Sequence, residues 1–279
     1  VELVEKHLGE HRHVLAAFAQ RRQRQRRQHV IEIVAQCALA HRLVVLQERG
    51  PLALPAPGGL FALVAAAMIL YMTPGSCTTG IHILLEELEL PFQVNIINLP
   101  AGDHRTPAYL AINPKGTIPT LVLDDVAALT SFPSIAFWLA RRYPRKRLLS
   151  DDPFLAARTL DLLDYAVNTV HGQGFTRIFT TERYLPEGLS ASDTAQWTAA
   201  ITARGQAIVR EAFAVIEAGL PETGYAMGAD FTIADAALFY VFFWASKTDI
   251  TMSPRCQALF ERIRTRPVVH QVLREEGYR

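Results

Sequence analysis

The chemistry legible in this chain begins with Cys77. It follows the turn Thr73-Pro-Gly-Ser76 and stands at the start of the first predicted helix. A helix N-terminus presents unpaired N–H groups and a partial positive charge, which favour an anion. A thiol held there can ionise in the range of roughly 3.5–7.5 rather than near 8.5. Two readings fit the position: a thiolate nucleophile or thiol-binding group, and a small apolar residue packed under a sheet. Ile118-Pro119, just before a strand, is the second feature. Proline is tolerated at the first residue of a strand because its missing N–H need not break the ladder. Statistics alone favour a trans bond there. His171 is the third feature, near the end of a long predicted helix and followed by Gly172-Gln-Gly174. A lone histidine in such a place is more often structural than catalytic. His82, His104 and His270 lack the spacing of metal ligands, so no metal is expected. A phosphate-binding glycine loop, Gly-x-Ser-x-Gly and His-Glu-x-x-His are all missing.

The elements that must position these residues follow from periodicity and turn chemistry. Met68–Tyr71 reads as a strand. Ile81, Leu84, Leu85 and Leu88 recur at helical spacing. Phe92–Leu99 reads as a strand and Pro107–Ile112 as a short helix closed by Asn113-Pro-Lys-Gly116. Thr120–Leu123 and Ala127–Thr130 are strands around an Asp124-Asp125 turn, and Ser134–Tyr143 is a helix that stops before Pro144. The order is β-α-β-α-β-β-α. Beyond Ser150 only helices are predicted: Phe154–His171, Ala191–Ala218, a buried helix over Ala236–Ala245, Cys256–Arg264 and Val268–Glu276. Thr232-Ile-Ala-Asp235 has the form of a capping box with Asp in place of Glu.

Composition bounds the rest. The chain has 279 residues, 50% hydrophobic and 20% charged, which suits a globular protein of about two domains. Its net charge of +1 hides a basic run at Arg21–His29, and the remainder is not a nucleic-acid binder by charge. Three widely spaced cysteines argue against a disulfide framework and for a reducing compartment. The longest apolar run, Leu60–Met72, is shorter than the 20 or so residues that a membrane span needs. A cytoplasmic protein without a membrane segment is expected. Residues 1–67, with a Pro/Gly-rich end at Pro51–Gly59, are expected to be a poorly patterned extension. It is either disordered or upstream of a start at Met68. Residues 68–150 and 151–279 are the two expected domains.

Taken together, residues 68–279 resemble a cytosolic-type glutathione S-transferase, closest to the bacterial beta class. Met68-Ile-Leu-Tyr-Met-Thr-Pro-Gly-Ser-Cys77 resembles the family's opening strand and active-site turn. Asn113-Pro-Lys-Gly-Thr-Ile-Pro119 resembles the loop that leads to its cis-proline, and Phe231-Thr-Ile-Ala-Asp235 its helix capping box. His171 falls on the beta-class active-site histidine. The resemblance implies a thioredoxin-like N-terminal domain and an all-α C-terminal domain. It implies glutathione as co-substrate, conjugation to small hydrophobic electrophiles in detoxification, glutathione-dependent disulfide reduction as a related activity, and a homodimer. Cys77 and His171 would shape the thiol site, with Ile118, Pro119, Ser131, Phe132 and Asp164 along the tripeptide. One departure stands out. Where the family has Glu/Gln-Ser to hold the γ-glutamyl end, this chain has Ser131-Phe132. Asp164 stands where the beta class often has Asn, and it is the acid that could compensate if it faces the same site. A non-catalytic interaction protein on the same fold is the alternative that this departure supports.

Overall fold

A computed structural model describes residues 68–123 and 127–278. The expected extension 1–67 and the Asp124-Asp125 turn lie outside the described residues. Contacts group Met68–Val272 into one compact unit. Apart from the end of the last helix, everything below concerns that unit.

The strand β1 (Met68–Met72) alternates buried and half-buried residues, with Met68, Leu70 and Met72 inside. Helix α1 (Thr78–Glu87) carries the chain over to β2 (Phe92–Ile96), which pairs parallel to β1 from Met68↔Phe92 to Met72↔Ile96. Parallel neighbours need such a crossover. A short 3-10 turn (Asp103–Arg105) and α2 (Pro107–Ile112) then lead to β3 (Thr120–Leu123), antiparallel to β1, and β4 (Ala127–Thr130), antiparallel to β3. The sheet order is β2-β1-β3-β4. Helix α3 (Phe132–Arg142) closes this half in the expected β-α-β-α-β-β-α order.

In this half two boundaries differ from the sequence reading by more than one residue, each for a local reason. Strand β2 ends at Ile96 rather than Leu99 because the Asn98 N–H turns to the Asp103 carboxylate at 2.9 Å. Helix α3 starts at Phe132 rather than Ser134 because Pro133 sits in its first turn, where its missing N–H would be unpaired anyway.

The second half is helical: α4 (Pro153–Asp164), a π-helical segment (Tyr165–Phe175), α5 (Thr176–Phe179), α6 (Ala191–Gly219), α7 (Ile233–Ala245), α8 (Pro254–Arg264) and α9 (Pro267–Glu275). The single helix expected over Phe154–His171 is therefore two. At Asp164 the turns widen, and the Thr176 N–H reaches back five residues to the His171 carbonyl. No described helix is long and apolar enough to cross a membrane.

Helix α7 is the core. All of Ile233–Val241 is less than 2% exposed, and each fully buried Leu or Phe there contributes about 1.5–3 kcal/mol. Its start is fixed by a buried carboxylate. Asp235 accepts the Ala226 N–H on one oxygen, and the Thr232 N–H and hydroxyl on the other, all at 2.8 Å. The predicted capping box is present. Burial pushes this carboxyl up to about 6, against the pull of its donors. Replacing Asp235 by Ala strands two backbone N–H groups, so the expected cost is about 2–5 kcal/mol in urea unfolding at pH 7, with Asp235→Asn costing less. Equal stability of the Ala variant and the parent would refute this role for the carboxylate.

Candidate active site

The site begins at the C-terminal end of β1. Thr73-Pro74-Gly75-Ser76 closes a turn with the Ser76 N–H on the Thr73 carbonyl at 3.1 Å. Gly75 has φ +74, the left-handed conformation that a proline-glycine turn requires at its third position. Side chains brace the turn: the Ser76 hydroxyl donates to the Thr73 carbonyl at 2.7 Å, and that of Thr78 to the same oxygen at 2.9 Å. Cys77 is the N-cap of α1, as expected, and is 7% exposed.

The Cys77 thiol does not ionise easily in this setting. Burial pushes it up to about 12, and donors on Ser76, Cys77 and Thr78 offset only part of that. The lowered value that a helix N-terminus alone would give is overturned, because removal from water outweighs the helix end. Cys77 Sγ lies 3.8 Å from the Ile118 carbonyl. The Ile118–Pro119 peptide bond is cis, as the resemblance implies and against the statistical preference for trans. Cys77, Ile118 and Pro119 are thus brought together at one end of the sheet.

The helical half supplies the other wall. His171, in the π-helical segment, sets its Nδ1 3.2 Å from the Tyr240 hydroxyl. Its ring stands edge-on to Tyr240 and to Trp244, at 86° and 89°. Burial pulls the imidazole down to about 4, so it is neutral near pH 7. The Trp244 indole N–H donates to the Gly75 carbonyl at 2.7 Å and so ties α7 to the turn before Cys77. Phe175 and Phe179 stack on each other and meet the Trp244 ring edge-on. Phe179 remains 50% exposed, so the wall ends in an open apolar face.

Tyr240, Trp244 and Phe179 are not singled out by the sequence reading, in which the first two fall within the buried helix over Ala236–Ala245. The available signal was spacing. Tyr240 and Trp244 are four residues apart, on one face of a helix, and each carries a polar atom that needs a partner when buried.

The remaining expected residues lie as follows. Ser131 caps α3 with φ +72, and its hydroxyl is 3.3 Å from that of Ser134. Beside it, Lys115 Nζ donates to the Thr130 hydroxyl at 2.7 Å. Phe132 is 3% exposed, and its ring packs on that of Tyr240 with centroids 5.3 Å apart. Asp164 is exposed at the end of α4 and accepts the Asn168 amide one turn on. Among the described residues no hydrogen bond or ion pair ties Asp164 to Cys77 or Ser131. The side chains that the site offers for chemistry are the Cys77 thiol and the neutral His171 imidazole.

Comparison with known proteins gives a consistent result. Residues 75–142 match the family model for the glutathione S-transferase N-terminal domain, and residues 199–273 match that for the C-terminal domain. Glutathione S-transferase GstA of Escherichia coli O157:H7 is 31% identical over 221 residues, spanning 75% of this chain and 99% of its own length. Disulfide-bond oxidoreductase YfcG of Escherichia coli K12 is 26% identical over 213 residues, 73% of this chain and 93% of its own. A crystal structure of a glutathione transferase homologue from Sulfitobacter, with bound glutathione, superposes with a TM-score of 0.67. It is 25% identical and covers 75% of this chain and 98% of its own.

The His171 imidazole has a consequence for stability. Its pKa is lower folded than unfolded, so between about pH 6.5 and 4 the unfolded chain binds the extra proton and stability falls as pH falls. From pH 7 to 5 this one group should remove about 2 kcal/mol. Urea unfolding of the parent and of His171→Asn at both pH values checks it: the variant should lose that much less on acidification. An unchanged difference would show that His171 titrates normally.

Proposed function

The chain belongs to the glutathione S-transferase family, and on that premise we propose that it joins the glutathione thiolate to electrophilic small molecules. The observation that carries the reading is the convergence of Cys77, the cis Ile118–Pro119 bond and the turn held by Trp244 at one end of the sheet. Glutathione lies along the 68–150 domain with its cysteinyl backbone against Ile118 and its sulfur near Cys77. In conjugation to a chlorodinitrobenzene-type substrate, the sulfur forms a bond to the ring carbon, chloride leaves, and the thiol proton passes to solvent. His171, neutral and in the 151–279 domain, supplies hydrogen bonding to the thiolate rather than acid–base exchange. The face made by Phe179 and Trp244 receives the apolar electrophile.

Glutathione-dependent disulfide reduction is the second reading, favoured by the likeness to the oxidoreductase YfcG. Burial raises the Cys77 thiol pKa to about 12, which makes it a slow nucleophile and places this activity behind conjugation. The beta class, a detoxifying role and a cytoplasmic location belong to the same reading.

Calorimetry with glutathione and a conjugation assay test it together, on the parent, Ser131→Glu and Cys77→Ser. The parent should bind in the micromolar to low-millimolar range and conjugate. Ser131→Glu should bind at least about tenfold more tightly, because the ligand's ammonium regains a carboxylate partner. Cys77→Ser should keep conjugation and lose mixed-disulfide reduction. No binding in the parent with binding restored in Ser131→Glu would refute catalysis and favour the interaction-protein reading.

A homodimer is also proposed. Phe137 on α3, and Phe154 and Leu155 at the start of α4, are 43%, 69% and 48% exposed, apolar surface on two helices that pack together. Sedimentation should give twice the 31.0 kDa chain mass, and Phe154→Glu should shift it towards the monomer. A monomeric parent at micromolar concentration would end this proposal.

A further inference from the structure

We infer that Tyr240 is a positioning residue: it holds His171 as the neutral tautomer with its proton on Nε2, and so decides which ring nitrogen is offered to the glutathione sulfur. The effect on rate rests on the transferase reading above, whereas the tautomer does not.

The argument is one of hydrogen-bond accounting. The Tyr240 side chain is fully buried, on the inner helix α7. A buried phenol O–H needs an acceptor. Among the described residues its hydroxyl has one hydrogen-bond partner, His171 Nδ1 at 3.2 Å. The Cys77 thiol is directed elsewhere, to the Ile118 carbonyl. The phenol keeps its proton, because burial and the nearby Cys77 push its ionisation well above 10. A proton on Nδ1 would set two donors against each other or leave the Tyr240 O–H without an acceptor, and a buried unmade bond is the costly outcome. With Tyr240 as donor and Nδ1 as acceptor both groups are satisfied, and the proton of the neutral ring sits on Nε2.

The ring is also held in place. It stands edge-on to Tyr240 at 5.7 Å and to Trp244 at 4.8 Å, one helical turn apart on α7. Turning the ring over would put a carbon where Nδ1 meets the hydroxyl. Tyr240 is itself braced, with the buried Phe132 ring at 5.3 Å. His171 is thereby an N–H donor on its other edge, suited to stabilising a thiolate and unsuited to removing the thiol proton.

The test uses the full chain with 15N-labelled histidine. Long-range proton–nitrogen correlation reads which ring nitrogen is protonated, and His171→Gln identifies the resonance. The unaltered chain should show Nε2 protonated and Nδ1 bare near pH 7. Tyr240→Phe keeps the ring in the core and removes only the hydroxyl. It should populate both tautomers and lower kcat for conjugation about tenfold while the KM for glutathione stays within about twofold. Nδ1 protonated in the unaltered chain, or the same single tautomer in both proteins, would overturn the inference. An altered tautomer with unchanged kcat would overturn its catalytic part. If Tyr240→Phe does not fold, the tautomer of the unaltered chain still decides. If the unaltered chain neither binds nor conjugates glutathione, the transferase reading fails while the tautomer measurement stands.

Discussion

The buried carboxylate of Asp235 is the constraint on which the site rests. Three donors converge on it, and they fix where α7 begins. Once the first residue of a helix is set, every later residue has a fixed height and direction along it. Tyr240 and Trp244 follow four residues apart, so they lie one above the other on one face. From that face Trp244 holds the turn before Cys77, and Tyr240 meets both His171 and Phe132. A second polar tie joins the two halves: Arg266 reaches one carboxylate oxygen of Glu87, at the end of α1, with Nε and Nη2 each at 2.7 Å, partly shielded from water. The close approach of α1 to α7 depends on Gly80, where an added Cβ would lie 2.6 Å from the Ala236 carbonyl oxygen.

Much of the fold was legible because its signals are local. The Thr73-Pro-Gly-Ser76 turn, the Asn113-Pro-Lys-Gly116 turn and the Thr232–Asp235 cap each use residue types that only a few backbone conformations favour. What was not legible depends on tertiary packing or has no sequence period. The π-helical segment has wider turns, but over eleven residues its apolar spacing cannot be told from that of an α-helix. The thiol of Cys77 was judged by the helix end beneath it, whereas its proton affinity is set by what covers it. Tyr240 and Trp244 vanished into an apolar run because hydrophobicity averages over a side chain and ignores its one polar atom. The packing of the Phe132 ring on Tyr240 likewise joins distant segments and has no local signal.

Ser131 shows backbone and side chain parting company. Its φ of +72 is unfavourable for a residue with a Cβ, at a cost on the order of 1–3 kcal/mol. It persists between a strand in register, Thr120 opposite Thr130, and a helix that starts one residue later. The conformation is therefore imposed from both sides and does not depend on the side chain carried there. Lys115, bonded to Thr130, places a cation on this edge of the site. An acid placed at 131 would find the backbone already shaped and a cation close by.

The bond from Trp244 to the Gly75 carbonyl bears on how such a chain can be inherited. Gly75 and Trp244 are 169 residues apart, and the bond between them exists only where both halves place their atoms correctly. A recombination event between the sheet half and the helical half would preserve both hydrophobic interiors and still separate this pair. The acquired half would need an indole at the same height on its inner helix to grip the turn. The two halves are therefore matched at this contact as they are in the packing of Gly80 against Ala236.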